Sequence, residues 1–383
     1  MAANSWRYYA LISLGIQFIL LCVSYHRLPY SQYFLGSDAW ALEQVQKQFT
    51  ISLQEHDHQR VVISNWKTYS SDVNHAKLSI GVITVKRKSK NYFWTSVVAL
   101  LEDWYNFYLK HKKIEMHVLI CNCNSDPEKE KINENLAPSV TTFDVYAQPR
   151  LKPPPMNVKE KETYDYVACL SKLADSSSGS QYIILMEDDM WIKPTFLEHI
   201  ERLLNFYSAY PDPKWAFTKL FYPDQHKGFE LTFWSVLELV TSSVIIGAIS
   251  AVLWRAVTGT RRRHLPFSKL TPLHIFNVLL ILVMLNRQHT LIPLYHVVHP
   301  FKHDIPHGSS SGAILWSKKH ANNMYDYVMA MPNMNKEIDF ILNDFVRDNN
   351  LSAYSLEYNV FDHIGYESSI SNNKRGAKHF LRY

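Results

Sequence analysis

A long apolar segment in the middle of the chain most constrains how the protein can fold. Residues 231–254, LTFWSVLELVTSSVIIGAISAVLW, carry a single charge, at Glu238. A second apolar stretch follows at 274–298, although Asn286 and Arg287 interrupt it. The two segments, of 24 and 25 residues, are as long as the roughly 20 residues that a membrane-spanning helix needs. They predict a pair of transmembrane helices inserted into whatever soluble domain surrounds them.

The connector between these two segments favours membrane insertion. Residues 255–273 contain no acid and five basic side chains, Arg255, Arg261, Arg262, Arg263 and Lys269. Short loops rich in Lys and Arg lie on the cytoplasmic side of a membrane. Antiparallel helices would bring Glu238 and Arg287 toward the same, non-cytoplasmic side, where a structural ion pair is favoured over a transport site. A hairpin buried in a soluble core is the alternative interpretation.

A third apolar segment lies at 8–25, between Arg7 and Arg27. It predicts an uncleaved anchor rather than a signal peptide, because no small-residue cleavage site follows it. If the basic loop is in the cytoplasm, the side of the membrane on which every other segment lies follows from it. The predicted organisation is a cytoplasmic tail at 1–7, the anchor, a first part of the catalytic domain at 26–230, the hairpin, and a second part at 299–383.

Composition excludes several classes of protein. Apolar residues make up 47% of the chain and aromatic residues 14%, which excludes disorder as the main state. The formal net charge of +5 is too small and too scattered for a nucleic-acid-binding protein. Four cysteines in 383 residues are too few for a disulfide scaffold.

The cysteines and a glycosylation motif are compatible with the secretory pathway. Cys22 lies in the predicted anchor, which leaves Cys121, Cys123 and Cys169 for the far side. A single C-x-C pair is a weak metal signal, so a disulfide from Cys121 or Cys123 to Cys169 is the better hypothesis. Asn350 begins an Asn-Leu-Ser glycosylation acceptor.

The soluble segments alternate between strand and helix patterns. Strands are predicted at 78–86, 115–121, 181–187 and 214–220, and helices at 92–112, 159–174 and 195–208. This alternation predicts an α/β fold with a mostly parallel sheet covered by helices, which residues 300–383 complete. Ligands of such sheets bind at the carboxyl ends of the strands.

A cluster of three acids marks one of these strand ends. The apolar strand QYIILM runs directly into Glu187, Asp188 and Asp189. Alternation along a strand would put Glu187 and Asp189 on one face and Asp188 on the other. Oxygen ligands of this kind suit Mg²⁺ or Mn²⁺, which leave coordination positions for phosphate oxygens. A solvated turn is the alternative.

Three features together resemble a known family. The strand ending in EDD, the segment FDHIGYESSI at 361–370 and the hairpin between them resemble the Golgi GPI-anchor N-acetylgalactosamine transferases. The H-x-G-x-x-S-S element is also similar to the ending of the branching N-acetylglucosaminyltransferase IV family. The resemblance implies a glycosyltransferase-A fold, a UDP-GalNAc donor, Mn²⁺ or Mg²⁺, and GPI-anchored proteins as acceptors. It further implies a multi-pass Golgi protein whose catalytic domain is lumenal.

The resemblance also implies roles for individual residues. The implied metal ligands are Glu187, Asp188 and Asp189, and the implied donor-binding positions are Val85, Arg87, Ser310, Ser311 and His363. A cation near the end of the first strand is sensible beside a diphosphate. The Gly/Ser-rich segment 304–316 that contains the two serines has a flexible linker as its alternative interpretation.

Transfer with inversion, which the resemblance implies, needs a carboxylate base beside the acceptor hydroxyl. The candidates after the hairpin are Glu337, Asp339, Asp362 and Glu367. Glu337 and Asp339 begin a predicted helix at 336–346, where acids are also favoured by the helix dipole. Asp339 is the first choice and Glu337 the second.

Three other functions compete with this hypothesis. An N-acetylglucosaminyltransferase of N-glycan branching is the nearest, although it gives the inserted hairpin no role. A membrane transporter or scaffold, and a non-catalytic lectin-like module, are the alternatives from other classes. Transfer from UDP-sugars with and without Mn²⁺ discriminates among them.

Overall fold

The computed structural model describes residues 78–85, 92–111, 116–124, 140–146, 157–176, 179–221, 233–258, 272, 274–279, 303–304, 310–331, 336–356 and 359–365. The chain divides into two compact units. The helix unit comprises Met1–Ser37, Asp224–Pro300 and Arg382–Tyr383, and the sheet unit comprises Asp38–Pro223 and Phe301–Leu381. The sheet unit is therefore assembled from chain on both sides of residues 224–300.

The described elements follow one another as strands and helices of ordinary length. In chain order they are β1 (Leu78–Thr84), α1 (Phe93–His111), β2 (Met116–Asn122), β3 (Thr141–Asp144), α2 (Val158–Ser176), β4 (Tyr182–Glu187), β5 (Met190–Ile192), α3 (Phe196–Ala209), β6 (Trp215–Lys219), α4 (Phe233–Thr258), β7 (His303–Asp304), β8 (Ala313–Ser317), α5 (Lys318–Met329), α6 (Ile338–Asp348), β9 (Ser352–Leu356) and β10 (Phe361–His363). The strands and helices predicted from the sequence agree with these bounds to within two residues at each end.

Eight of the strands form one mixed sheet in the order β3-β2-β1-β4-β8-β6-β9-β7. The pairs β3–β2, β2–β1, β1–β4 and β6–β9 are parallel. β8 runs antiparallel to both of its neighbours, and β7 runs antiparallel to β9. The predicted α/β fold with a mostly parallel sheet is confirmed.

Two apolar cores lie on opposite faces of this sheet. Alternation along β1 sends Ile80 and Val82 into one core, with α1 and α3, and sends Ile83 into the other, with α2, α5 and α6. Both faces of the central strands are thus covered, which explains why the strands are almost continuously apolar.

Strand β8 was not predicted, since its residues fall in the Gly/Ser-rich segment. It lies between β4 and β6, where Ile184 pairs with Leu315 and Thr218 pairs with Leu315 from the other side. Trp316 of β8 is fully buried, and its Nε1 donates a hydrogen bond to the Tyr166 hydroxyl over 3.2 Å. A chain segment after residue 300 therefore completes the core begun before residue 224, and a linker interpretation of residues 313–316 is wrong.

The helix unit contains α4, which includes the first segment of the predicted hairpin. A Cβ on Gly247 would lie only 2.5 Å from the Ile275 Cα, so the absence of a side chain permits the close approach of residues 274–279. The Ser250 hydroxyl and His274 Nδ1 are within hydrogen-bond distance, at 2.9 Å. Exposed side chains on α4 are mostly apolar, among them Val240, Ile245, Ile249 and Leu253.

Across the described parts of the chain, no helix has both the length and the apolarity that crossing a membrane requires. The predicted anchor at 8–25 and most of the segment 274–298 lie outside the described residues, as does Arg287. The predicted span at 231–254 is therefore not confirmed by α4, and the anchor, the second helix of the hairpin and the Glu238–Arg287 pair stay predictions.

Phe345 provides a test of how α6 packs into the core. Its side chain is 1% exposed and packs near Trp316 and Tyr327, with ring centroids 6.4 Å and 5.4 Å away. Phe345→Ala should lower the free energy of unfolding by about 3–5 kcal/mol, because it leaves a cavity in the core. Thermal or denaturant unfolding of the purified protein measures the change.

Phe340 on the same helix is the matched control, because its side chain is 50% exposed. Phe340→Ala should change the free energy of unfolding by less than about 0.5 kcal/mol. Equal destabilisation by the two substitutions would contradict the described packing of α6.

Candidate active site

The candidate site lies where the chain reverses direction across the sheet. From β1 the chain continues outward to β2 and β3, then returns to β4 on the other side of β1. A parallel sheet opens a crevice at such a reversal, at the carboxyl ends of the two strands. A cavity of about 260 Å³ lies there. Its lining residues are Ile83, Val85, Val158, Lys161, Glu162, Asp165, Tyr166, Glu187, Asp188, Ser311 and Ile338.

Asp188 connects the ends of the two central strands. Its Oδ2 accepts a hydrogen bond from the Thr84 hydroxyl over 2.8 Å and from the Val85 N–H over 3.4 Å. Its backbone carbonyl accepts a 2.7 Å hydrogen bond from the Ser96 hydroxyl on α1. A carboxylate that is only 3% exposed needs such donors, since burial without them is costly.

The three acids do not follow strand alternation. β4 ends at Glu187, and Asp188 and Asp189 form the turn that leads into β5. The cavity is lined by Glu187 and Asp188, whereas Asp189 faces His363 and Gly365. The expected grouping of Glu187 with Asp189 is therefore not what the turn produces.

Glu187 is linked to Asp339 through the segment before β8. The Ser311 hydroxyl donates to Glu187 Oε1 over 3.1 Å, and the Glu187 N–H donates to the Gly312 carbonyl over 2.8 Å. The Ser310 N–H donates to Asp339, and the Ser311 hydroxyl also lies within hydrogen-bond distance of Asp339, so its single hydrogen serves one of the two carboxylates at a time. Ser310 has a φ of 152°, which residues with a side chain rarely adopt. Ser311, which follows this strained residue, thus lies between two carboxylates from distant parts of the chain.

Asp339 lies half-buried in the first turn of α6. Burial raises the pKa of its carboxyl, and the positive charge of Lys219 acts in the opposite direction. Its Oδ1 is shielded from solvent and accepts no hydrogen bond from the described residues. Asp339 does not itself line the cavity, but a carboxylate with a raised pKa and an oxygen that accepts no described hydrogen bond has the chemistry of a proton acceptor.

Lys219, at the end of β6, was not identified from the sequence. Its side chain is fully buried, and burial lowers its pKa to about 8, while the negative charge of Asp339 opposes that change. In the pattern KWAFTKL, the second lysine is at the position where a strand usually ends in solvent. Its burial can therefore be recognised only from the tertiary fold.

Asp189 and His363 form a second polar pair, and neither is among the residues that line the cavity. His363 Nε2 lies 3.3 Å from Asp189 Oδ2, and both side chains are nearly inaccessible. Strand β10 brings them together, because it pairs antiparallel with β5 and places His363 opposite Met190. A Cβ on Gly365 would overlap Asp189 Oδ2, which explains the glycine two residues after the histidine.

The pair fits a divalent cation in part. Two ligands of an octahedral cation, each about 2.1 Å from the ion, are about 3 Å apart, close to the observed spacing of Asp189 and His363. No group of three or more His, Cys, Asp or Glu side chains within the described ranges is arranged to hold a metal ion. Mg²⁺-type sites commonly use one or two carboxylates and take their other ligands from water and substrate phosphates, so a two-ligand protein site remains compatible.

The other predicted residues occupy different places. Val85 lines the cavity, whereas Arg87 and Glu367 lie outside the described residues. Glu337 pairs with Lys159 at the surface, 2.9 Å apart, with both side chains more than 40% exposed. Asp362 is 3.2 Å from Lys193. Of the four candidate bases, Asp339 is therefore the one that the structure connects to Glu187.

A charged cluster on the α2 wall of the cavity was also missed. Lys161 Nζ lies 2.5 Å from Asp165 Oδ2 and 2.8 Å from the Cys123 carbonyl. Tyr146 donates a hydrogen bond to Asp165. Burial raises the pKa of the Asp165 carboxyl, which Lys161 and Tyr146 oppose. The i, i+4 spacing of Lys161 and Asp165 is a sequence signal for the ion pair, but not for its location at a site.

The predicted disulfide is not formed in the structure. Cys121, Cys123 and Cys169 are buried free thiols, and Cys123 Sγ lies 3.6 Å from Cys169 Sγ.

Comparison with known proteins assigns the chain to a family. A family model described as GPI-N-acetylgalactosamine transferase PGAP4 matches residues 78–362, from the first residue of β1 into β10. No curated protein matches the chain significantly. The matched range includes the cavity, all three acids and Asp339, and it covers about three quarters of the sequence. The chain therefore belongs to the family of GPI-N-acetylgalactosamine transferases.

Proposed function

We propose that the chain is an inverting transferase that moves N-acetylgalactosamine from UDP-GalNAc to the mannose core of GPI anchors on GPI-anchored proteins. The observation that carries the proposal is the chain of contacts Glu187–Ser311–Asp339 beside a cavity at the reversal point between β1 and β4. It links Asp339, the candidate proton acceptor, through Ser311 to the wall of the cavity in which a nucleotide-sugar would bind.

The cavity supports a nucleotide donor by its position and its chemistry. Val85 follows β1 directly, at the strand end where α/β sheets bind ligands. Lys161 provides a cation in the wall, and Ser311 provides a hydroxyl. We therefore place the uridine toward Val85 and the sugar toward Ser311 and Asp339.

Asp339 acts as the general base in this proposal. Its ionised carboxylate takes the proton from the attacking hydroxyl of the acceptor mannose. Attack at the anomeric carbon on the face opposite to the diphosphate inverts the configuration there. Lys219 keeps a positive charge near Asp339, which favours the ionised form that a base requires.

A divalent cation belongs to the proposal through Asp189 and His363. These two side chains would hold Mn²⁺ or Mg²⁺, with Glu187 and Asp188 on the cavity side of the same turn. Bound there, the cation would neutralise charge on the departing diphosphate. The Asp188 carboxylate accepts hydrogen bonds from Thr84 and Val85, so we assign it the role of holding the turn in place.

The acceptor explains why a hairpin would interrupt such an enzyme. A GPI anchor is held in the lumenal leaflet, and a membrane-attached enzyme meets it in two dimensions with a restricted orientation. The exposed apolar side chains of α4 support this membrane location. We propose a multi-pass Golgi protein with a lumenal sheet unit.

The donor and metal requirements can be tested together on purified full-length protein. UDP-GalNAc and UDP-GlcNAc are each offered with a GPI-anchored protein, in the presence of Mn²⁺ or a chelator, and the glycan is analysed by mass spectrometry. We expect transfer of N-acetylgalactosamine, and its loss in the chelator. Transfer from UDP-GlcNAc to N-glycans would favour a branching transferase, and no transfer from any donor would favour a non-catalytic protein.

Asp189→Asn should reduce this transfer by about 100-fold or more. Removal of one charged ligand lowers the affinity of the site for the cation and, with it, the stabilisation of the diphosphate. Asp326→Asn, at an exposed position on α5, is the control and should keep full activity. Substantial activity of the Asp189 variant would contradict the assignment.

The base assignment predicts a contrast between two neighbouring acids. Asp339→Asn should lower the transfer rate by about 10²–10⁴-fold while UDP still binds, since only the proton acceptor is removed. Glu337→Gln should have little effect, because its exposed pair with Lys159 contributes only about 0–1 kcal/mol. Initial rates and UDP titrations measure the two effects.

The pH dependence follows from the same residue. A base works only when ionised, and burial raises the pKa of Asp339, so transfer should be lost as the pH falls through that raised value. The midpoint of the acid limb of the rate profile should therefore lie at a pH above the ordinary pKa of an Asp carboxyl, about 3.9. An acid limb that is unchanged in Asp339→Asn would show that another group is titrating.

Membrane topology is tested by glycosylation-acceptor tags. Tags inserted in the basic loop 255–273 should stay unmodified, because the loop is proposed to be cytoplasmic. Tags near Ser178 or Asn349 should be glycosylated, because both positions are proposed to be lumenal. Sensitivity of the tagged proteins to glycosidase measures this, and a modified loop tag would contradict the hairpin.

A further inference from the structure

Lys161 and Asp165 put a hydrogen-bond donor and an acceptor side by side on the α2 wall of the cavity. The two residues are one helical turn apart, and both line the cavity. Lys161 Nζ lies 2.5 Å from Asp165 Oδ2, and the two side chains are 24% and 6% exposed. No step of the proposed transfer uses Asp165, so a mostly buried ion pair at the site has no role yet.

Contacts with the ends of two neighbouring strands hold this pair in place. Lys161 Nζ donates a hydrogen bond over 2.8 Å to the carbonyl of Cys123, directly after β2. The Tyr146 hydroxyl, just beyond β3, donates to Asp165 Oδ1. The centroid of the Tyr146 ring is 5.0 Å from Lys161 Nζ. The pair therefore presents one fixed arrangement of donor and acceptor to a ligand in the cavity.

These contacts leave part of the hydrogen-bonding capacity of the pair available. An ammonium has three N–H donors, and an ionised carboxylate has about four acceptor positions. Within the described ranges, contacts take up two donors of Lys161 and one position on each oxygen of Asp165. Burial raises the pKa of the Asp165 carboxyl, whereas Lys161 and Tyr146 lower it and so favour the ionised form, which only accepts hydrogen bonds.

The position of the pair along the edge of the sheet corresponds to one end of a nucleotide-sugar. The N–H of Cys123, the residue that Lys161 contacts, donates over 3.0 Å to the carbonyl of the last residue of β1. Ser311 precedes β8, which is two strands away from β1 on the opposite side to β2. With the sugar toward Ser311, the base is the part of the donor that reaches Lys161 and Asp165.

Uracil offers the complementary pattern of donors and acceptors. Its N3–H is a donor, and the carbonyl oxygens on either side of it are acceptors. Asp165 can therefore accept from N3–H while Lys161 donates to the adjacent carbonyl. Cytosine has an acceptor at N3 and an amino donor beside it, so the same placement brings acceptor against acceptor and donor against donor.

We propose that Lys161 and Asp165 select the base of the donor nucleotide, so that the site accepts uridine diphosphate compounds and rejects cytidine diphosphate compounds. The inference rests on the proposed function, because it requires that the cavity binds the donor. It assigns the choice of base to an ion pair on α2.

Nucleotide analogues test this selection on the purified full-length protein without altering the chain. UDP, CDP, 3-methyl-UDP and 2′-deoxy-UDP are each titrated in the presence of Mn²⁺, and calorimetry measures their dissociation constants. We expect CDP and 3-methyl-UDP to bind about 10–100-fold more weakly than UDP, because neither has an N3–H. We expect 2′-deoxy-UDP, which keeps the N3–H, to bind nearly as well as UDP. Weak binding of 2′-deoxy-UDP together with normal binding of 3-methyl-UDP would show that Asp165 holds the ribose, and would overturn the proposal.

Asp165→Asn tests the role of the carboxylate itself. An Asn amide can turn its oxygen to the N3–H of uracil or its NH₂ group to the N3 of cytosine. The preference for UDP over CDP should therefore fall by about 10-fold or more. A purely structural defect would weaken both nucleotides equally and leave the preference unchanged. Asp175→Asn, at an exposed position near the end of α2, is the matched control and should keep the original preference.

The outcomes separate this inference from the function on which it rests. Equal binding of UDP and CDP to the unaltered protein, or an unchanged preference in Asp165→Asn, would refute base selection by this pair and leave the donor site intact. Failure of all the nucleotides to bind would refute the donor site as well. If thermal unfolding shows that Asp165→Asn does not fold, 3-methyl-UDP decides: binding as tight as that of UDP refutes the proposal, and the expected loss supports it.

Discussion

Burial of the Asp188 carboxylate is the constraint on which the site depends. An apolar strand delivers three acids to the interior edge of the sheet, and buried charge is stable only with donors around it. The Thr84 hydroxyl and the Val85 N–H meet Asp188 from the neighbouring strand, and Ser96 holds its backbone from α1. These contacts fix the turn after β4. Glu187 is thereby directed to the cavity and Asp189 to His363.

Both separated parts of the chain contribute to the site. Residues before 224 provide the strand ends and the acids, whereas Ser311, Asp339 and His363 come from residues after 300. The sheet explains how they meet: β8 inserts between β4 and β6, so its leading residues lie against the end of β4. The proposed catalytic apparatus is therefore complete only when both parts have folded together.

Much of this arrangement could be predicted from local patterns. Apolar strands with alternating helices indicated the α/β fold, and the position of the EDD sequence after a strand indicated the edge at which the site lies. The family resemblance of the HIGYESS segment linked His363 to the acids, and the structure places it 3.3 Å from Asp189.

The missed residues depend on contacts between distant segments. Lys219 is fully buried on a strand that lies between β8 and β9, and both of these strands come later in the chain, so no local pattern records its burial. Strand β8 comes at the end of a Gly/Ser-rich stretch. Its backbone hydrogen bonds are made with β4 on one side and β6 on the other, and both of these strands lie far away in the sequence. The sequence pattern also predicted that strand alternation continues through Asp189. The chain instead forms a turn at Asp188 and Asp189, so the predicted grouping of Glu187 with Asp189 does not occur.

A structure of the full-length protein with UDP and Mn²⁺ tests most directly whether this crevice is the donor site. We expect uracil beside Val85, the diphosphate next to Glu187 and Asp188, and an anomalous manganese peak about 2.1–2.3 Å from ligand atoms of Asp189 and His363. UDP bound elsewhere, or a manganese ion without contact to Asp189, would contradict it.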